Sequence, residues 1–263
     1  MSNAKMKMLG KHELELVDVN TVTNTVVIEN SVLSINEIQF DTPITGTIFG
    51  TLLNHKGELE QLGNAINDIP YNSPPIAPIL YIKPANTFNR YGAAIPMPIG
   101  ISKLKMGAAL GLVIGKKAVA LEEATALTYI AGYTIVNDVS VPHNSVYRPA
   151  VQHQARDGFC PIGPWIIEQN EVDNPDNLAI RVFINEKLRQ ENSTSNLIRS
   201  VSRLLADVTE FMTLSAGDVL LVGVPEDAPL AEVGDKIRIE IEGIGSLENV
   251  IVEETATIRG RSI

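Results

Sequence analysis

The chain has one cysteine, Cys160, in 263 residues. A single thiol excludes an intrachain disulfide and any all-thiolate zinc site. A buried, reduced thiol is the expectation. Basic residues are also scarce: 21 Lys and Arg stand against 31 Asp and Glu, a formal net charge of −10. Nucleic acid and anionic membranes both call for a basic surface, so neither is expected as a partner. No run approaches the ~18 apolar residues of a membrane span. The chain does not open with a basic-then-apolar signal sequence, and a cytoplasmic location is expected. Met1-Ser-Asn-Ala4 reads as a cloning remnant outside the fold.

What the chain does have is apolar mass, 44% hydrophobic against 20% charged. That is enough to bury a substantial core. The length allows one large or two modest domains. Residues 1–43 read as a small β-rich leader, because β-branched and apolar residues alternate with polar ones between Glu13 and Thr42. Residues 44–263 form the main domain. Within it, Gly46 to Leu53, Ile79 to Ile82, Ala108 to Ile114 and Val219 to Val222 read as strands. Ala108 to Ile114 is apolar throughout, as in a strand buried on both faces. Ile237, Ile239 and Ile241 alternate with Arg238, Glu240 and Glu242, a half-exposed strand.

Leu178, Ile180, Val182 and Ile184 alternate in the same way, and Asn185-Glu186 suits a hairpin turn. His55 to Ile66 suits a short helix or lid loop, and Glu122-Glu123 suits a helix start before Ile130. The clearest helix runs from Leu197 through Val201, Leu204, Leu205, Val208 and Phe211 to Met212, one apolar stripe. Ser193 or Ser195 can cap it. Many strands and few helices predict a mixed, β-dominated α+β fold.

Gly132 to Pro164 is the stretch that points to chemistry. A strand through Tyr133 and Ile135 delivers Asp138 to its exit. A polar loop then leads to Arg156-Asp157-Gly158-Phe159-Cys160-Pro161. A carboxylate at a strand exit before a charged, Gly- and Pro-punctuated loop is where rigid scaffolds present reactive groups. An Asp after a strand is also a common turn former, and on pattern alone both readings stand.

Several strings bear on the choice: Gly46-Thr-Ile-Phe-Gly50, Leu53-Asn-His55, Ile82-Lys-Pro84, Leu110-Gly-Leu-Val-Ile-Gly-Lys116, Asn137-Asp138, Tyr147-Arg-Pro-Ala150, Arg156 to Gly163 and Gly223-Val-Pro225. Together they resemble the fumarylacetoacetate hydrolase family over roughly Gly46 to Val252. Within it they are most similar to the N-terminal half, or subunit, of isomerase/decarboxylases of 4-hydroxyphenylacetate (homoprotocatechuate) breakdown. The resemblance implies a twisted β-roll or barrel. It also implies chemistry on 2-oxo acids with a Mg²⁺ or Mn²⁺ ion held by Glu-x-Glu and the Asp of Asn-Asp. Such ions want several oxygen ligands, and residues i and i+2 of a strand share a face.

Against that pattern, the two glutamate positions fall on Gly107 and Ala109, and only Asp138 keeps its carboxylate. No metal cofactor is therefore expected on this chain. The family lysine falls on Gln154, the lid histidine on Glu58 and its partner acid on Gln61. Pro142-His143 replaces an Arg-Asp pair, and Val224 replaces a threonine. The expected roles are Glu58 and Gln154 in catalysis and Arg148 and Arg156 in clamping a substrate carboxylate. Internal pairing of Arg156 with Asp157 competes with the last role. Asp138, His143 and His153 form an alternative metal set of the two-His, one-carboxylate kind. Two functions follow: a subunit of an isomerase/decarboxylase for 2-oxo or 2-hydroxydiene dicarboxylates, or a non-catalytic partner of a metal-binding sister subunit. The expected assembly is a homodimer or such a heterodimer.

Overall fold

The computed structural model describes residues 1–68, 72–143 and 150–254. Among these, an eleven-stranded sheet runs through Ser31–Ser34, Thr25–Ile28, Glu15–Asn20, Ser2–Met6, Cys160–Glu168, Ile130–Asn137, Ala108–Ile114, Val219–Leu221, Ile48–Leu52 and Ile79–Lys83. Phe88–Asn89 attaches beside this path, parallel to Cys160–Glu168. A five-stranded sheet runs Lys187–Ser193, Ala179–Ile184, Lys236–Ile241, Gly245–Glu253 and Ala94–Met97. Most pairs are antiparallel; Val219–Leu221 with Ile48–Leu52 and Gly245–Glu253 with Ala94–Met97 are parallel. The fold is thus β-dominated with open, mixed sheets.

Ala108–Ile114 is buried at every position, as its composition predicts. Its two faces serve different apolar layers. Leu110, Leu112 and Ile114 join the main core, while Ala109 and Val113 join a smaller cluster with Ile48, Val136, Cys160 and Val219. Period-2 burial divides the strand in this way. The Lys236–Ile241 strand alternates as expected, with its three isoleucines buried. Asn185 and Glu186 both take positive φ, 52° and 62°, the geometry of a tight hairpin turn that matches strand twist.

Three local expectations are corrected. Ser2–Met6 is a strand, paired with Glu15–Asn20 and Cys160–Glu168, and Ala4 is buried; the first residues belong to the fold because they join the strands of residues 15–34 to the rest of the sheet. The long helix spans Val201–Phe211, with Ser200 as its N-cap through a bond from the Arg203 amide. Leu197 still packs in the core, but in extended conformation after a 3-10 turn that Ser193 caps. Glu123–Tyr129 is a 3-10 helix, whose poorer hydrogen bonds suffice for a short connector.

Candidate functional site

Seven segments meet at one cleft of about 60 Å³, lined by Thr51, Leu52, Glu58, Tyr81, Lys105, Gly107, Asp138, Ser140, Gln154 and Val224. The Ile130–Asn137 strand brings Asp138 there, and the Asp138 amide donates to the Gly107 carbonyl (2.7 Å). Asp138 is only 8% exposed. Its Oδ1 lies 2.8 Å from the Lys83 ammonium, and its Oδ2 accepts a hydrogen bond from the Tyr81 hydroxyl. Tyr81 and Lys83 are two residues apart on one strand, so they share a face. Lys83 is fully buried and also donates to the carbonyls of Val139 (3.1 Å) and Gln154 (2.9 Å). An ammonium has three protons to give, and here each has an oxygen within reach. Burial and the neighbouring Asp138 charge push the Tyr81 phenol well above its ordinary value.

Glycine makes room for this arrangement. Gly50 faces Tyr81 across the strand pair, and a Cβ there would fall inside the tyrosine ring. A Cβ at Gly107 would lie 2.6 Å from the Asp138 carbonyl oxygen.

Glu58 enters from the first turn of the Lys56–Leu62 helix. The chain reaches that helix through Leu53, which holds a positive φ of 56°, a conformation uncommon for a non-glycine residue. Asn54 fixes the corner: its amide donates to the Val222 carbonyl (2.8 Å) and its Oδ1 accepts from the Arg199 amide (3.0 Å). Glu58 is half-buried, and its Oε2 is buried without a hydrogen-bond partner. Desolvation raises the Glu58 carboxyl to about 7; Lys105 and the Leu53 amide pull it down, and Glu226 and Asp138 push it further up. A carboxyl that titrates near neutrality can both take and return a proton. Beside it, His55 is fully buried, and neither ring nitrogen has a partner. Desolvation lowers His55 to about 4, against a small opposing effect of Glu226. Cys160 is the buried free thiol expected, raised by desolvation to about 12.

Other sequence candidates fall differently. Gln154 lines the cleft. Arg156 does not: its Nε donates to the Gln152 carbonyl (2.9 Å) one helical turn back. Asp157 accepts instead from the Asn86 amide (2.7 Å), so in place of the Arg156–Asp157 pairing one residue bonds a turn back and the other bonds a segment distant in sequence. Arg148 lies outside the described residues. The His143 and His153 rings stack at 4.9 Å. Among the described residues no three His, Cys, Asp or Glu side chains gather as a metal-holding group. Lys83, Tyr81, Lys105 and Thr51 were not singled out as site residues. Only spacing hinted at two of them, since Tyr81 and Lys83 alternate along a strand that ends beside Pro84.

The fumarylacetoacetate (FAA) hydrolase C-terminal family pattern matches residues 47–252, and the chain belongs to this family. It is 42% identical over 209 residues to the 4-hydroxyphenylacetate degradation bifunctional isomerase/decarboxylase of Escherichia coli, covering 80% of this chain and 48% of that protein. The chain therefore spans about half the length of the curated relatives it matches. These identities establish one half of such proteins, not the N-terminal one in particular. The fold also matches 5-carboxymethyl-2-hydroxymuconate delta-isomerase from Mycobacterium smegmatis, with a TM-score of 0.78 and 27% identity over 97% of this chain and 100% of that one. A maleylpyruvate hydrolase from Sphingobium sp. SYK-6, solved with manganese(II) and pyruvate, shares the fold at a TM-score of 0.74 and 19% identity, over 96% of this chain and 100% of that one.

At the positions where the family resemblance places an ion's ligands, one of three residues carries an oxygen-bearing side chain, and Glu58 is the other carboxylate lining the cleft. Asp138 is the carboxylate at the strand exit, and Lys83 and Tyr81 already engage its two oxygens. Gly107 brings no side chain, and Ala109 is fully buried in apolar surroundings.

Proposed function

We propose that this chain is an isomerase-type member of its family that moves a proton on a 2-hydroxydiene or 2-oxo dicarboxylate without a divalent cation. Glu58 carries the reading: a carboxyl with an unpartnered buried oxygen, poised near pH 7, faces the cleft beside a lysine. Ketonisation of an enol transfers one proton from oxygen to carbon. The Glu58 carboxylate accepts the enol proton and a proton is returned to the carbon end of the conjugated system, so the proton count is unchanged. The Gln154 side chain positions the substrate oxygen. Lys83 holds Asp138 in place of an ion, so Asp138 shapes the wall rather than ligating a metal. The similarity to a 5-carboxymethyl-2-hydroxymuconate isomerase supports a substrate of that class.

The test is turnover of 5-carboxymethyl-2-hydroxymuconate by wild type and Glu58→Gln. The expected loss is roughly 10²–10⁴-fold, the usual size of an acid/base contribution. Unchanged turnover would refute the assignment.

A second reading is favoured by the locked state of Asp138. In it the chain is a non-catalytic copy that pairs with an intact sister chain of the same fold. A duplicated fold offers matching faces for a pseudo-symmetric dimer. Under this reading turnover is seen only when the sister chain is added, and it survives Glu58→Gln.

A further inference from the structure

We propose that Lys105 and Thr51 form a seat for a carboxylate in the cleft, and that they select anionic 2-oxo acids over neutral analogues. The inference rests on the cleft being the substrate site and adds the group that recognises the substrate's charge.

Lys105 is presented rigidly. Its backbone amide donates to the Ser140 carbonyl (2.8 Å), and the Ser140 amide donates back to the Lys105 carbonyl (3.2 Å). The side chain lines the cleft, and among the described residues no carboxylate lies within ion-pairing distance of its ammonium. The cleft's other ammonium, Lys83, is fully buried and engaged with Asp138. Among the described residues lining the cleft, Lys105 is therefore the positive charge that a ligand can reach. Glu58 acts on it electrostatically without closing an ion pair.

Thr51 supplies an independent sign of a ligand. It is 2% exposed and lines the cleft, yet its hydroxyl has no hydrogen-bond partner. Buried hydroxyls in folded proteins are nearly always partnered, so an orphan calls for an explanation. A carboxylate between the two residues takes charge from the ammonium and a hydrogen bond from the Thr51 hydroxyl, the charge-assisted kind of contact that is strongest. Val224, which also lines the cleft, offers only methyl groups to a ligand.

The probe is oxalate, titrated calorimetrically into the full chain in EDTA-containing buffer, so that turnover plays no part. Wild type binds, and binding weakens as salt is raised. Lys105→Met weakens it at least about tenfold, while Lys105→Arg, which keeps the charge, stays within about threefold. Thr51→Val weakens it about three- to tenfold, and Thr51→Ser restores it. Melting temperatures within a few degrees of wild type show that the variants are folded. Equal oxalate affinity in wild type and Lys105→Met overturns the proposal, as does absence of oxalate binding to wild type at millimolar concentration. Loss of binding in Lys105→Met together with unchanged turnover in Glu58→Gln would keep the seat and reject the acid/base reading.

Discussion

The Lys83 ammonium lies 2.8 Å from Asp138 Oδ1, with the lysine fully buried and the aspartate 8% exposed. An internal cation thus faces the one carboxylate that the strand exit supplies. Removing either partner leaves the other charge buried and uncompensated. Lys83→Met is expected to destabilise the chain by about 3–5 kcal/mol. Urea unfolding checks this. The double variant Lys83→Met/Asp138→Leu should recover a large part of the loss, because the stranded charge is then gone.

Glu58 makes stability depend on pH in the less usual direction. Its folded-state carboxyl is raised from 4.5 to about 7, so the fold favours its protonated form. That contribution is complete below pH 4.5 and is lost as pH rises through 7. Glu58→Gln removes the loss. At pH 8 the variant should be more stable than wild type by on the order of 1–3 kcal/mol, a figure reduced for the partial exposure of the group. Urea midpoints at pH 5 and pH 8 test it.

His55 works in the opposite sense over nearly the same interval. Its imidazole is lowered from 6.5 to about 4, so its contribution is present above pH 6.5 and is lost as pH falls through 4. In wild type the two trends offset each other between about pH 4.5 and 6.5. His55→Leu removes one of them, and its stability should then fall monotonically as pH rises from 4.5 to 7.

Gly50 is required by the Tyr81 ring that covers it. Gly50→Ala should destabilise by about 1–3 kcal/mol, the usual penalty for overpacking, and should lower turnover by displacing Tyr81 from Asp138. A comparison with Gly63→Ala, where a Cβ would meet nothing within 4 Å but the backbone is left-handed (φ 48°), separates crowding from backbone strain.

Much of this framework was legible in the residues. The all-apolar run Ala108 to Ile114 suited a strand covered on both faces, and the β-branched stretch before Asp138 suited a strand that delivers it to its exit. Glu58 was visible as a carboxylate in a family histidine position, but its raised pKa depends on burial in the folded chain and on the charges of Glu226 and Asp138, both distant in sequence. Lys83 gave no such signal, because a lysine before a proline usually ends an exposed strand; only the fold buries it. Arg156 looked like a substrate clamp because its loop is charged. In three dimensions a single helical turn at Val151–Gln154 places the Gln152 carbonyl within its reach. Lys105 and Thr51 sit in segments of ordinary composition, and only their convergence on one cleft distinguishes them.

The most direct measurement is the rate of 5-carboxymethyl-2-hydroxymuconate isomerisation by the purified chain, across pH 5–9, with and without EDTA. The account predicts a rate that is indifferent to EDTA, rises with pH through about 7 as Glu58 ionises, and collapses in Glu58→Gln. A rate abolished by EDTA and restored by Mg²⁺ or Mn²⁺ would contradict it.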